Sequence, residues 1–159
     1  QNTIAEMVCY AQMIRMGLDY ACKHYETTET GMIYPNVLAV NAAKYYYASN
    51  YHDMMRNIHD LGGGLTLTQP VEADLRHPEA GAYLRKYMHT KDSVDVEERM
   101  RIHNLIRDYT ADAYGGWHQV TTLQAGGGLL AQRIMMNQLY DMEGAKAKAK
   151  RAAGIKPAS

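Results

Sequence analysis

Residues 37–64 read VLAVNAAKYYYASNYHDMMRNIHDLGGG, and this stretch decides the fold. Val40, Ala43, Tyr47, Tyr51, Met54, Ile58 and Leu61 recur at spacings of three and four. That periodicity lines one face of an α-helix. Asn36 stands just ahead as an N-cap, because its side-chain oxygen can accept from a backbone N–H of the first turn. Gly62-Gly63-Gly64 closes the pattern, where the simplest role is a helix C-cap. The spacing predicts a long amphipathic helix over about residues 37 to 61.

The same period extends on both sides. Upstream, Ile4, Met7, Val8, Ala11, Ile14, Leu18, Ala21, Cys22 and Tyr25 predict a helix over about residues 1 to 26. It is already under way at Gln1 with no cap ahead of it, so the expectation is a chain cut from something longer. Thr27 to Asn36 reads as a polar connection punctuated by Gly31 and Pro35. Downstream, Gly62 to Pro78 reads as a long connection with little helical patterning, of the kind that often covers a site. Pro78 suits the first turn of a short helix, about 79 to 90. Asp95 with Glu98 forms a capping pair for a third long helix, about 96 to 113, with Ile102, Ile106, Tyr109 and Ala113 as its stripe.

Gly115-Gly116 is expected to break that helix, and a fourth is expected from Trp117 to about Met142. It would run through Gly126-Gly127-Gly128, with Val120, Leu123, Gly127, Leu130 and Ile134 on its packing face. Ala145 to Arg151 alternates alanine and lysine and reads as a solvated terminal helix. No strand signal competes. The fold class expected is all-α, a four-helix bundle, with residues 1–155 as one domain and 156–159 as a tail.

Composition narrows the function classes. The chain has 159 residues, 47% hydrophobic and 21% charged, which is ordinary for a globular domain. With 17 basic and 17 acidic residues, net charge points to neither nucleic acid nor membrane. No apolar run approaches the roughly 20 residues of a membrane span. Cys9 and Cys22 suggest no disulfide framework and are compatible with a reducing cytoplasm, each expected as a lone buried thiol. Thirteen Tyr, 11 Met and no Phe suggest a helical core with polar crevices, since tyrosine hydroxyls need partners.

Signatures of chemistry are sparse. There is no Glu-x-x-His pair for a bundle di-metal site, no His-Glu-x-x-His and no Cys-x-x-Cys. His52 and His59 share a face beside Arg56, a pattern more typical of solvated histidines than of ligands. There is no nucleophile elbow, and both glycine triplets follow helices rather than strands, so neither is a phosphate loop. The triplets themselves are the strongest signal. Three glycines inside a helix would forfeit about 2–3 kcal/mol. A chain accepts that where backbone closely approaches a ligand, a cofactor or a neighbouring helix, and for the second triplet these alternatives stay open.

Several segments carry a resemblance. Gly31-Met32-Ile33-Tyr34-Pro35-Asn36, Asn41-Ala42-Ala43-Lys44-Tyr45, Asn50-Tyr51-His52 and Asp60-Leu61-Gly62-Gly63-Gly64 do so in the first half. Lys91-Asp92, Arg107-Asp108, Val120-Thr121-Thr122, Leu130-Ala131-Gln132-Arg133 and Lys150-Arg151-Ala152-Ala153-Gly154-Ile155 follow in order. Together they resemble the C-terminal domain of the family that holds 4-hydroxybutyryl-CoA dehydratase and the flavin-dependent 4-hydroxyphenylacetate 3-hydroxylases.

The resemblance implies a four-helix bundle like the C-terminal domain of acyl-CoA dehydrogenases, which supports flavin and oligomer contacts. It implies FAD in a parent enzyme, with His59, Asp60, Gly63 and Gly64 at the cofactor. Asp60 stands where a glutamine commonly precedes the glycine pair. It implies a substrate pocket at Gly126, Gly127 and Ala131, with Gly126 where the dehydratase has a glutamate suited to proton transfer. Glycine cannot exchange a proton, so no catalytic residue is expected in this chain. An iron–sulfur cluster in a dehydratase-like parent would take its cysteine and histidine ligands from outside this chain, and Cys9 and Cys22 do not correspond to them. The partners implied are N-terminal domains of the same enzyme, a second or further copies in a homodimer or homotetramer, and an acyl-CoA or phenolic substrate. The alternative is a stand-alone, non-catalytic oligomerisation bundle.

Overall fold

A computed structural model describes residues 2–155, so the expected tail at 156–159 lies outside the described residues. The all-α expectation holds: helices α1 (Asn2–Lys23), α2 (Val37–Gly62), α3 (Leu65–Thr68), α4 (Glu72–Arg76), α5 (Ala80–Tyr87), α6 (Val96–Thr110), α7 (Ala113–Ala125), α8 (Leu129–Leu139) and α9 (Met142–Ala152) carry almost every element. A two-residue antiparallel ladder, β1 (Glu26–Thr27) with β2 (Ile33–Tyr34), pairs Glu26 with Tyr34 and Thr27 with Ile33. The segment was expected to be a plain connection. Gly31 turns it at φ +83°, and the Tyr34 hydroxyl donates to Glu26 at 3.0 Å, which holds that phenol above its usual range.

The chain divides into two compact units, and the division falls inside α2. The first comprises residues up to Asn50 and those from Gly126 onward. Asn36 caps α2 as expected, its Oδ1 accepting from Ala39 N–H at 2.9 Å. Gly17 of α1 meets Ala43 of α2 so closely that a Cβ at position 17 would sit 2.9 Å from the Ala43 Cβ. The Tyr10 hydroxyl donates to the Tyr47 carbonyl at 2.9 Å, and the Tyr10 and Tyr47 rings stack at 5.9 Å. This is the polar crevice that a tyrosine-rich core was expected to need. The thiols depart from expectation, since Cys9 and Cys22 are both exposed. Of the apolar stripe expected on α1, only Ala21 is buried, while Ile4, Val8, Leu18 and Tyr25 are exposed.

The second unit comprises Tyr51–Ala125. Its core is Leu75, Met88, Val96 and Met100, with Leu65 and Leu84 packed against them. The expected loop between Gly62 and Pro78 therefore contains α3 and α4, too short for a 3.6-residue period to show. Asp95 caps α6 through its carboxylate, which accepts from Glu97 and Glu98 N–H. The face α6 buries is Val96, Met100 and Thr110, whereas the expected Ile102 and Tyr109 are exposed. Gly115 and Gly116 do not break a helix, because α7 starts before them at Ala113. A Cβ on Gly115 would come within 2.8 Å of the Tyr109 carbonyl, so the glycine lets the start of α7 fold back on the end of α6.

The fourth helix is also corrected. The second triplet interrupts it: α7 ends at Ala125 and α8 begins at Leu129, with Gly127 at φ +81° between them. Gly127 is exposed, not on a packing face, as are Val120, Leu130 and Ile134. A left-handed glycine ends one helix, and Gly128 opens the next.

Candidate functional site

In the second unit, Gly62, Gly63 and Gly64 have three different reasons to be where they are. Gly62 is packed: a Cβ there would lie 2.7 Å from the buried Thr66 Oγ1 and 3.9 Å from His103 Nδ1. Gly63 is conformational: it stands at φ +62° and its N–H bonds the His59 carbonyl at 2.8 Å, the C-cap read from the sequence. Gly64 has neither reason. Its φ of −59° and ψ of −23° suit any residue, and a Cβ would meet nothing within 4 Å. Gly116 shares that freedom.

His59 lies one turn before the triplet and is half-buried, while Asp60 is exposed. His59 Nε2 is 2.6 Å from the hydroxyl of Thr110, a buried residue that nothing in the sequence had marked. Beside Gly62, burial and the nearby Arg99 guanidinium hold the His103 imidazole below its usual range. Its Nδ1, the Thr66 hydroxyl and the Gln69 Oε1 are buried without hydrogen-bond partners.

In the first unit, the second triplet is held by side chains distant in sequence. Lys44 Nζ donates to the Gly126 carbonyl at 3.0 Å. Buried Gln132 donates from Nε2 to the Gly127 carbonyl at 2.7 Å and the Gly126 carbonyl at 3.4 Å, while its Oε1 has no partner. A Cβ on Gly126 would stand 3.4 Å from Lys44 Cδ, an ordinary contact, so nothing within the chain demands glycine there. A Cβ on Gly127 would stand 4.0 Å from the Ala131 Cβ, which brings those two expected pocket residues together beside Gly126. Lys44 and Gln132 lie within the resembling motifs, but only the fold reveals that both grip the triplet. An apolar groove of about 520 Å³ lies elsewhere in this unit, lined by Met13, Met16, Gly17, Tyr20, Ala43 and Met136 among others. That volume is of ligand-site size.

Residues 1–154 match the family described as "HpaB: 4-hydroxyphenylacetate 3-hydroxylase C terminal". The chain belongs to that family. It is 26% identical over 137 residues to the 4-hydroxybutyryl-CoA dehydratase/vinylacetyl-CoA-Delta-isomerase of Clostridium aminobutyricum, covering 81% of this chain and 28% of that protein. Among solved structures, an oxygen-tolerant 4-hydroxybutyryl-CoA dehydratase from N. maritimus matches with a TM-score of 0.86 and 29% identity, over 99% of this chain and 31% of the other. The oxygenase component of 4-hydroxyphenylacetate 3-monooxygenase complexed with FAD matches in fold with a TM-score of 0.86 and 21% identity, over 95% of this chain and 31% of the other. The helical fold is thus the one the resemblance implied. The chain spans less than a third of the length of each of these proteins.

Proposed function

We propose that this chain is the C-terminal flavin-supporting and oligomerisation domain of a longer flavin-dependent enzyme, inactive by itself, with residues 1–155 as the functional domain. One observation carries the reading: neither backbone conformation nor crowding within the chain requires glycine at Gly64. It precedes Leu65 as the N-cap of α3 without a side-chain cap bond, a place that serine, asparagine or aspartate would suit better. Close approach by a body outside the chain accounts for it, and the FAD-bound oxygenase relative supplies the candidate. The open surface at Gly63 and Gly64 fits such a body, since a Cβ at either position would meet nothing within the chain. His59, Asp60, Gly63 and Gly64 would hold the dinucleotide, whose isoalloxazine supplies the redox chemistry when bound.

Gly126, Gly127 and Ala131 would border the substrate. Their part is to shape the wall and exclude water, with Lys44 and Gln132 holding the wall's backbone in place. The substrate is an acyl-CoA or a phenol, the chemistry dehydration with isomerisation or aromatic hydroxylation, in keeping with the relatives. The absence of a proton-transferring side chain at Gly126 favours hydroxylation. An iron–sulfur cluster in the parent would draw its ligands from elsewhere, because no three His, Cys, Asp or Glu converge among the described residues.

The exposed apolar side chains of α1, Ile4, Val8, Met16 and Leu18, favour contacts with N-terminal domains of the same enzyme and with further copies in a homodimer or homotetramer. No described helix is long and apolar enough to cross a membrane. The balance of 17 basic and 17 acidic residues and the two free cysteines favour a cytoplasmic enzyme with no nucleic-acid partner. The test is the enzyme that contains this chain, purified and assayed with reduced flavin on phenols, and with FAD on hydroxyacyl-CoA esters. Bound flavin with turnover of either class supports the proposal. A flavin-free protein inactive on both contradicts it.

A further inference from the structure

The contact between His59 and Thr110 fixes where a proton sits. Thr110 is the last residue of α6, and its hydroxyl lies 2.6 Å from the Ile106 carbonyl one turn back. A carbonyl only accepts, and a threonine hydroxyl carries a single proton. At that distance the proton is committed to Ile106. The 2.6 Å contact between Thr110 Oγ1 and His59 Nε2 therefore takes its proton from the ring. Gln119 Nε2 in turn donates to the Thr110 carbonyl at 3.0 Å, tying the end of α6 to α7 and holding Thr110 in place.

We infer that Thr110 is a positioning residue that locks neutral His59 as the Nε2–H tautomer, leaving Nδ1 as a hydrogen-bond acceptor one turn before Gly62. Among the described residues nothing bonds Nδ1. A ligand group meeting it must bring a donor, a hydroxyl or an amine, and a phosphate oxygen finds no proton there. The choice of ligand, though not the tautomer, rests on the proposed seating of the flavin dinucleotide. On that seating, a ribityl or ribose hydroxyl or the adenine amine faces His59, and the pyrophosphate does not.

Long-range proton–nitrogen correlation spectra of the histidine-labelled protein test this at mildly alkaline pH, where imidazoles are neutral. His59, assigned by its loss in His59→Gln, is expected to show a protected Nε2–H and an unprotonated Nδ1. Thr110→Val keeps the shape and removes the hydroxyl, so the protected proton is lost and the ring averages between tautomers. Thr110→Ser restores the wild-type pattern. An Nδ1–H tautomer in the wild type, or a protected Nε2–H that survives Thr110→Val, overturns the inference. Should Thr110→Val fail to fold, the wild-type and Thr110→Ser spectra decide it alone.

Adding FAD to the enzyme that contains this chain separates the tautomer from the seating. A shift of His59 Nδ1 on FAD binding, with FAD affinity about tenfold weaker in Thr110→Val, supports both. An intact tautomer with no response to FAD supports the role of Thr110 and contradicts the seating.

Discussion

Lys44 reaches across 82 positions of sequence to donate its ammonium to the carbonyl of Gly126 at 3.0 Å. The contact joins α2 to the break before α8, and with Gln132 it fixes a backbone turn that would otherwise be three glycines of free chain. Glycine has the largest backbone entropy to lose on ordering, so an unheld triplet would be the softest part of this unit.

Lys44→Met and Gln132→Leu should therefore differ. Lys44→Met keeps the apolar stem and removes the charged donor, for a loss of about 1–2 kcal/mol in urea unfolding. Gln132→Leu deletes its bonds to the triplet but also removes an unpartnered buried oxygen. Those effects offset, and its change should stay within about 1 kcal/mol. Equal losses for the two variants would mean that the lysine does not hold the turn.

The crossing of α1 and α2 rests on Gly17 against Ala43. A methyl at position 17 overpacks that contact, and Gly17→Ala should cost about 1–2 kcal/mol even after the gain in helix propensity. Ala43→Gly in the same chain should recover part of it. A double-mutant cycle with no coupling would contradict the close crossing.

Acid should act through His103. Burial and Arg99 lower its folded-state pKa beneath the unfolded value, so the neutral ring contributes stability that is present above the ordinary imidazole range. That contribution is lost as pH falls through the unfolded and then the folded pKa, because the unfolded chain takes up the proton more readily. Melting temperature should fall between about pH 7 and 5, and fall less in His103→Gln. Parallel curves for the two proteins would remove His103 from the acid response.

The amphipathic helix at Val37–Gly62 was legible because Val40, Ala43, Tyr47, Tyr51, Met54 and Ile58 lie on its covered side, whereas Leu61 of the same expected stripe is exposed. The caps at Asn36 and Asp95 were legible because capping chemistry is local. What failed was nonlocal. Gly115 looked like a breaker, yet its lack of a side chain serves the neighbouring turn of α6. The stripes on α1 and α8 were read as core because an apolar face looks the same whether its partner is in this chain or outside it. The candidate site divides likewise: Gly63 and Gly64 were visible as glycines, whereas Thr110 has no sequence signal, since its role is set by the hydroxyl's single proton and the approach of His59.

Gly64 faces open space, and a flavin seated against it would leave no room for a side chain. Flavin absorbance per protein, measured on the purified enzyme that contains this chain with Gly64→Leu, tests that directly. The melting temperature of the apoprotein is measured alongside, because φ −59° and open space allow leucine without internal strain. Apoprotein stability close to wild type is expected, with flavin content reduced to a small fraction of it. Full flavin content in Gly64→Leu would contradict it.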